Sequence, residues 1–183
     1  VNRRAPSSVA VDSDPIGFTD HTTGRVFASE LTLLSPDTSK NSFTDNDGVS
    51  WTFDPQSQGP ASAVDHQTIG GGPYHAPIPS GLPYPHAVYY CSQDIAAAFC
   101  ARSDNGGVTP GGQTPLYNLT QCGGLHGHVK VAQDGTVYVP NRSCGGNTAV
   151  VVYIDHGVSW IVRPITSTVV TLHPSPDHPS LPP

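Results

Sequence analysis

The sequence predicts an all-β fold made of repeated four-stranded antiparallel units, and three observations carry that prediction. The first is a recurring turn. Trp51 closes Thr44-Asp45-Asn46-Asp47-Gly48-Val49-Ser50-Trp51, and Trp160 closes Tyr153-Ile154-Asp155-His156-Gly157-Val158-Ser159-Trp160. Between them, Ser103-Asp104-Asn105-Gly106-Gly107-Val108-Thr109-Pro110 follows the same plan, with Pro110 in the last place. The glycines fall at 48, 107 and 157, so the intervals are 59 and 50 residues, a period that belongs to propellers and solenoids. The second observation is composition: 19 Gly and 19 Pro in 183 residues, with 12% charged, favour short strands and turns over helices. The third is that no long apolar stripe of 3.6-residue period runs through the chain. The longest helical candidate, Ser92 to Ala101, has Val/Tyr-rich neighbours that suit a sheet. The expected architecture is a β-propeller of four-stranded antiparallel blades, about three of them visible.

The first blade spans about residues 9–54. Asp20-His21-Thr22-Thr23-Gly24 is its first turn and Arg25 to Ser29 its second strand. The second spans about 65–117 and carries a Gly/Pro-rich insertion from Gly70-Gly71-Gly72-Pro73 through Pro85; Ala97 to Ala101 is a strand before its repeated turn. The third spans about 122–165: His126 to Val131 as inner strand, Gln133-Asp134-Gly135 as turn, and Thr136 to Val139 as second strand. Asn141 to Asn147 follows as a polar loop, Thr148 to Tyr153 as third strand and Trp160 to Pro164 as fourth. In each repeated turn a short polar residue (Asn46, Asn105 or Asp155) accepts hydrogen bonds from backbone N–H groups two or three residues on. Gly48, Gly107 and Gly157 supply positive φ, and the Trp buries its ring. Residues 166–183 form a Pro-rich tail, with Thr166 to Leu172 as one stray strand. Propellers typically need four to eight blades. Three blades therefore imply a fragment, two copies completing a six-blade ring, or repeated turns decorating an open sheet.

The net charge of −6 argues against a nucleic-acid surface. No stretch approaches the ~20 apolar residues of a membrane-spanning helix. The opening at Val1 suggests a mature or trimmed chain. Cys91, Cys100, Cys122 and Cys144 allow three pairings, fit no zinc ribbon, and suggest an oxidising setting, secreted or at the cell surface. Asn118-Leu119-Thr120 and Asn141-Arg142-Ser143 are formal glycosylation sequons.

The three turns resemble the Asp-box, or BNR repeat, of sialidase-like β-propellers, whose pattern is Ser/Thr-x-Asp-x-Gly-x-Thr-Trp. The box residues here are Asn46, Gly48, Trp51, Asn105, Gly107, Asp155, Gly157 and Trp160. Asn46 and Asn105 stand for the Asp, Tyr153 for the first Ser/Thr, and Pro110 for one Trp. In that family the boxes lie away from the functional face, which is built by segments leading into the inner strands and by loops joining second to third strands. The resemblance selects Asp12 to Asp14, Asp65-His66-Gln67, Cys122 to His128, Leu31 to Lys40, Cys91 to Asp94, and Asn141 to Asn147. Cys122 and Cys144 then fall at one end of a blade and pair, leaving Cys91–Cys100. Regular hairpin pairing would not set those last two opposite one another.

Asp65, His66 and His126 are the candidate catalytic residues; His86, Tyr89, His128 and Arg25 are candidate binding residues. His126-Gly127-His128 puts two imidazoles on one face of a regular strand. With Asp65, His66 or His86 they could hold a divalent metal or move a proton; the plainer reading is a polar channel wall. Sialidases use an arginine triad, a Tyr/Glu nucleophile pair and an Asp acid/base. None of Arg3, Arg4, Arg25, Arg102, Arg142 and Arg163 lies in the family's Phe/Tyr-Arg-Ile-Pro motif, and Glu30 is the only glutamate. Asp14 with Asp65 could serve two-carboxylate hydrolysis. The expected function is a secreted protein directed at a glycan or cell-surface polymer, as a glycoside hydrolase or as a non-catalytic module for adhesion, assembly or surface structure; self-association belongs to the two-copy alternative for closing the ring.

Overall fold

The computed structural model describes residues 12–32, 39–54, 65–93, 97–153 and 159–165. Among these there is no helix. Twelve strands form three antiparallel sheets, each in simple meander order. The first holds β1 (Asp12–Thr19), β2 (Val26–Thr32), β3 (Ser39–Thr44) and β4 (Thr52–Asp54). The second holds β5 (Asp65–Gly72), β6 (Ala87–Gln93), β7 (Ala98–Ser103) and β8 (Gln113–Pro115). The third holds β9 (Lys130–Val131), β10 (Val137–Cys144), β11 (Asn147–Tyr153) and β12 (Ile161–Pro164). The sheets stack as successive blades. β5 packs against β1 and β2 on one side and β9 on the other, so the first strand of each blade is the inner one, and the series does not close into a barrel.

Glycine explains how the blades approach. A Cβ on Gly70 would lie 2.9 Å from the Val129 carbonyl oxygen, and one on Gly72 would lie 2.8 Å from a Val129-side neighbour, the Val131 side chain. The triple glycine therefore belongs to β5 and not, as expected, to the insertion, which starts at Pro73. It lets the neighbouring inner strand come within backbone distance.

Two cores result. The larger fills the space between the second and third blades, with Tyr89, Cys91, Cys100 and Leu116 facing Val137, Val139, Val151 and Tyr153. The smaller joins the first and second blades through Phe27, Phe43, Ile69, Tyr84 and Val88. β10 alternates buried Val137 and Val139 with exposed Tyr138 and Pro140, the pattern of a strand with one covered face.

The two repeated turns within the described residues have the same hydrogen bonds. Asn46 Oδ1 accepts from Ser50 N (2.9 Å), and its Nδ2 donates to Ser50 Oγ (2.8 Å). Asn105 does the same with Thr109 (3.0 and 2.7 Å). Gly48 N donates to Thr44 Oγ1, and Gly107 N to Ser103 Oγ. Both glycines are left-handed, at φ 78° and 83°. The Asn therefore reaches four residues on, where two or three were expected, because two successive left-handed residues widen the turn. These turns join β3 to β4 and β7 to β8. In the third copy, Asp155 and Gly157 lie outside the described residues. Trp51 and Trp160 are only partly buried.

Two other expectations change. The inner strand of the third blade is ordered as strand only at Lys130–Val131, preceded by a single bridge from His126 to Asn141. The polar loop 141–147 is instead strand on both sides of a tight turn at Gly145-Gly146. Residues 9–11 and the tail 166–183 lie outside the described residues. Cys91–Cys100 and Cys122–Cys144 are disulfides. Cys91 and Cys100 are direct register partners across β6–β7 after all.

Candidate functional site

The inner strands share one irregularity. Between Ser13 and Ile16 the β1–β2 register slips by one residue; between Asp65 and Thr68 the β5–β6 register does the same. From the His126–Asn141 bridge to the Lys130–Tyr138 pair, the third blade slips by one as well. Each slip is a β-bulge at the leading end of the inner strand, a device that re-aims side chains. Asp14 and His66 occupy the extra positions in the first two blades, both left-handed at φ 50°, and Gln67 Nε2 donates to the Asp14 carbonyl at 2.5 Å. A left-handed conformation without glycine carries a local cost.

The bulges bring His66, His126 and His128 together. The His66 ring centroid is 5.4 Å from that of His126 and 5.9 Å from that of His128. His126 and His128 do not share a face: His126 is 1% exposed and His128 is exposed, because the extra residue breaks the alternation. His126 Nδ1 donates to the Gly127 carbonyl at 2.8 Å, which leaves Nε2 as the ring's acceptor; that atom is buried without a hydrogen-bond partner. Burial pushes His126 down to about 4, with the Gly127 bond opposing and the neighbouring imidazoles reinforcing. Burial, then His66 and Lys130, also lower His128. His126 is therefore a neutral imidazole at physiological pH.

Neutral polar groups extend the site inward. Asn141, 1% exposed, is the bridge partner of His126 and bonds to Ser143 N through Oδ1 at 2.8 Å. The buried Tyr117 hydroxyl donates to Gln93 Oε1 at 2.9 Å, and Gln93 is the register partner of Asp65. Burial raises Tyr117 to about 12, with Asn141 opposing, so it too stays neutral. Asp65 is exposed and its carboxylate receives His66 N at 2.7 Å. The sequence pointed to Asp65, the histidines and, within Cys91 to Asp94, Gln93, but not to Tyr117, whose hydroxyl meets Gln93 from 24 residues away. Burial also removes Asn141 as a glycosylation acceptor in the folded chain, whereas Asn118 is exposed. Among the described residues no group of three or more His, Cys, Asp or Glu side chains is placed to hold a metal ion.

The other candidates lie elsewhere. His86 precedes β6, at the opposite end of the β5–β6 hairpin, and its Nδ1 is 3.0 Å from both oxygens of the buried Asp20 carboxylate. Tyr84 OH donates to the same carboxylate at 2.7 Å. Burial would raise Asp20, but Tyr84, the Thr22 and Thr23 amides and His86 together hold it low. Arg25 sits at the boxes, not at the histidines. Its Nε and Nη2 grip Asp45 at 2.7 and 2.8 Å, Nη1 donates to the Gly106 carbonyl at 2.7 Å, and its guanidinium lies 3.9 Å over Phe43. It clamps the first box to the second. Tyr89 is buried edge-on to Tyr153, 5.7 Å between centroids, and burial raises its hydroxyl far above the usual phenol range. Neither a family model nor a curated protein sequence matches the chain.

Proposed function

We propose that this chain supplies sialidase-like propeller blades to a secreted or surface protein that binds a glycan or cell-surface polymer at the leading face of its inner strands, without hydrolysing it. The observation that supports this most is the convergence of His66, His126 and His128 at aligned bulges from two blades. Imidazoles of this kind, beside Asp65, offer donors and acceptors suited to hydroxyl-rich ligands. His126 is too buried to touch a ligand; its role is to seat His66, leaving Asp65, His66 and His128 as the contact groups. The two disulfides fit an oxidising environment. Arg25, engaged by Asp45, is not available for a substrate carboxylate, which favours binding over sialidase chemistry.

Hydrolysis is the second reading. It rests on Asp14 and Asp65, exposed carboxylates at equivalent bulges of adjacent inner strands. The test is a His66→Ala/His128→Ala variant and an Asp65→Asn variant, assayed for retention on immobilised glycans and for release of reducing sugar. Binding lowered at least tenfold in the histidine variant, with no sugar release by the unaltered protein, is expected. Undiminished retention overturns the binding site, and sugar release abolished by Asp65→Asn establishes the hydrolase.

A further inference from the structure

On the opposite side of the larger core, a cleft of about 330 Å³ opens between the second and third blades. Its walls are Trp160 and Tyr153 from the third blade, and Arg102, Asp104, Gly112 and Gln113 from the second. The leading-face histidines do not line it. The Trp160 and Tyr153 rings lie 4.7 Å apart, tilted by 33°; Tyr153 is 1% exposed, so the half-buried Trp160 is the aromatic surface open to the cleft. Facing them, Arg102 Nε lies 2.8 Å from Asp104 Oδ1 and Nη2 donates to Asp104 Oδ2 at 2.8 Å. Arg102 Nη1 donates to Tyr153 OH at 3.3 Å, so the pair is held across the blade boundary. The side chains of Arg102 and Asp104 remain 20% and 37% exposed.

We propose that this cleft is a second binding site, taking one neutral hexopyranose unit. Its volume is at the small end of the ligand-pocket range, ~300–1,000 Å³, which suits a monosaccharide. An aromatic platform receives the C–H face of a pyranose, while a planar ion pair presents N–H donors and carboxylate acceptors side by side for vicinal hydroxyls. The guanidinium charge is already balanced by Asp104, which selects a neutral sugar over an acidic one. The inference does not depend on the leading-face site, because none of its residues is shared.

Gly112 provides the test. A Cβ added there meets no atom within 4 Å, and its backbone is not left-handed, so Gly112→Phe should fill the cleft without strain. Trp160 and Trp51 are the only tryptophans, so a Trp51→Phe background makes Trp160 the sole reporter. Its fluorescence is titrated with methyl β-galactopyranoside, methyl β-glucopyranoside, methyl α-mannopyranoside and N-acetylneuraminic acid. A saturable response to at least one neutral glycoside is expected. That response should weaken at least tenfold in Gly112→Phe and persist in His66→Ala/His128→Ala. No saturable response, an equal response in Gly112→Phe, or N-acetylneuraminic acid binding as tightly as the neutral sugars overturns the proposal. Should either background misfold by circular dichroism, saturation-transfer NMR on the unaltered protein and on Trp160→Ala decides. Transfer retained in Trp160→Ala refutes the site.

Discussion

At the scale of single residues, His126 is the most consequential side chain. Its folded value near 4 lies below the ordinary 6.5. Above pH 6.5 neither the folded nor the unfolded form carries the proton, so His126 leaves stability unchanged there. As pH falls through 6.5, the unfolded chain takes up a proton that the folded chain refuses, and stability declines until about pH 4. At ~1.4 kcal/mol per unit of displacement, the decline is on the order of 3 kcal/mol. Urea melts of the unaltered protein and of His126→Gln should show it as a difference in slope between pH 6.5 and 4.5. The paired Asp20 and His86 are present in both proteins and cancel. Identical slopes would mean that His126 is not held neutral.

Among the elements, the positions of the first two box turns were legible because their chemistry is local, while the four-residue reach of the Asn side chain was not. Asn46 and Asn105 each bond within their own turn, so residue type and spacing announce the structure. The Cys122–Cys144 pairing was legible only through the resemblance, which set both cysteines at one end of a blade, and the bounds of β7, β11 and β12 came within two residues. The bulges were not legible. A slip of one residue between His126 and Lys130 leaves no mark in composition or periodicity, yet it decides that His126 is buried and His128 exposed. Arg25 and His86 were misplaced because their partners, Gly106 and Asp20, lie 81 and 66 residues away in sequence. The turns also carry a stability prediction. Gly107 is left-handed, and a Cβ there would sit 2.8 Å from the Phe27 ring. Gly107→Ala should therefore cost ~1–3 kcal/mol, whereas Gly112→Ala should stay within ~0.5 kcal/mol. Thermal denaturation of the two variants checks the contrast, and equal melting temperatures would contradict the packing of the second box on the first blade.

Across the whole molecule, two properties set what the blades can do. Inner strands approach closely enough to need glycine at 70 and 72, toward the box end of β5, while the bulges at their leading ends gather polar groups from separate blades. Toward the boxes the same sheets are held together by Arg25 and Arg102, each paired to an Asp in a box turn and reaching the next blade. The histidines thus gather at one end of the sheets and the arginine clamps stand at the other, and ligand is expected to bind where the histidines gather. Imidazole NMR of histidine-labelled protein, titrated with the glycan retained best on the immobilised panel, tests this most directly. The His66 and His128 resonances should shift saturably while those of His86 stay fixed. Shifts at His86 with His66 and His128 unmoved would contradict it.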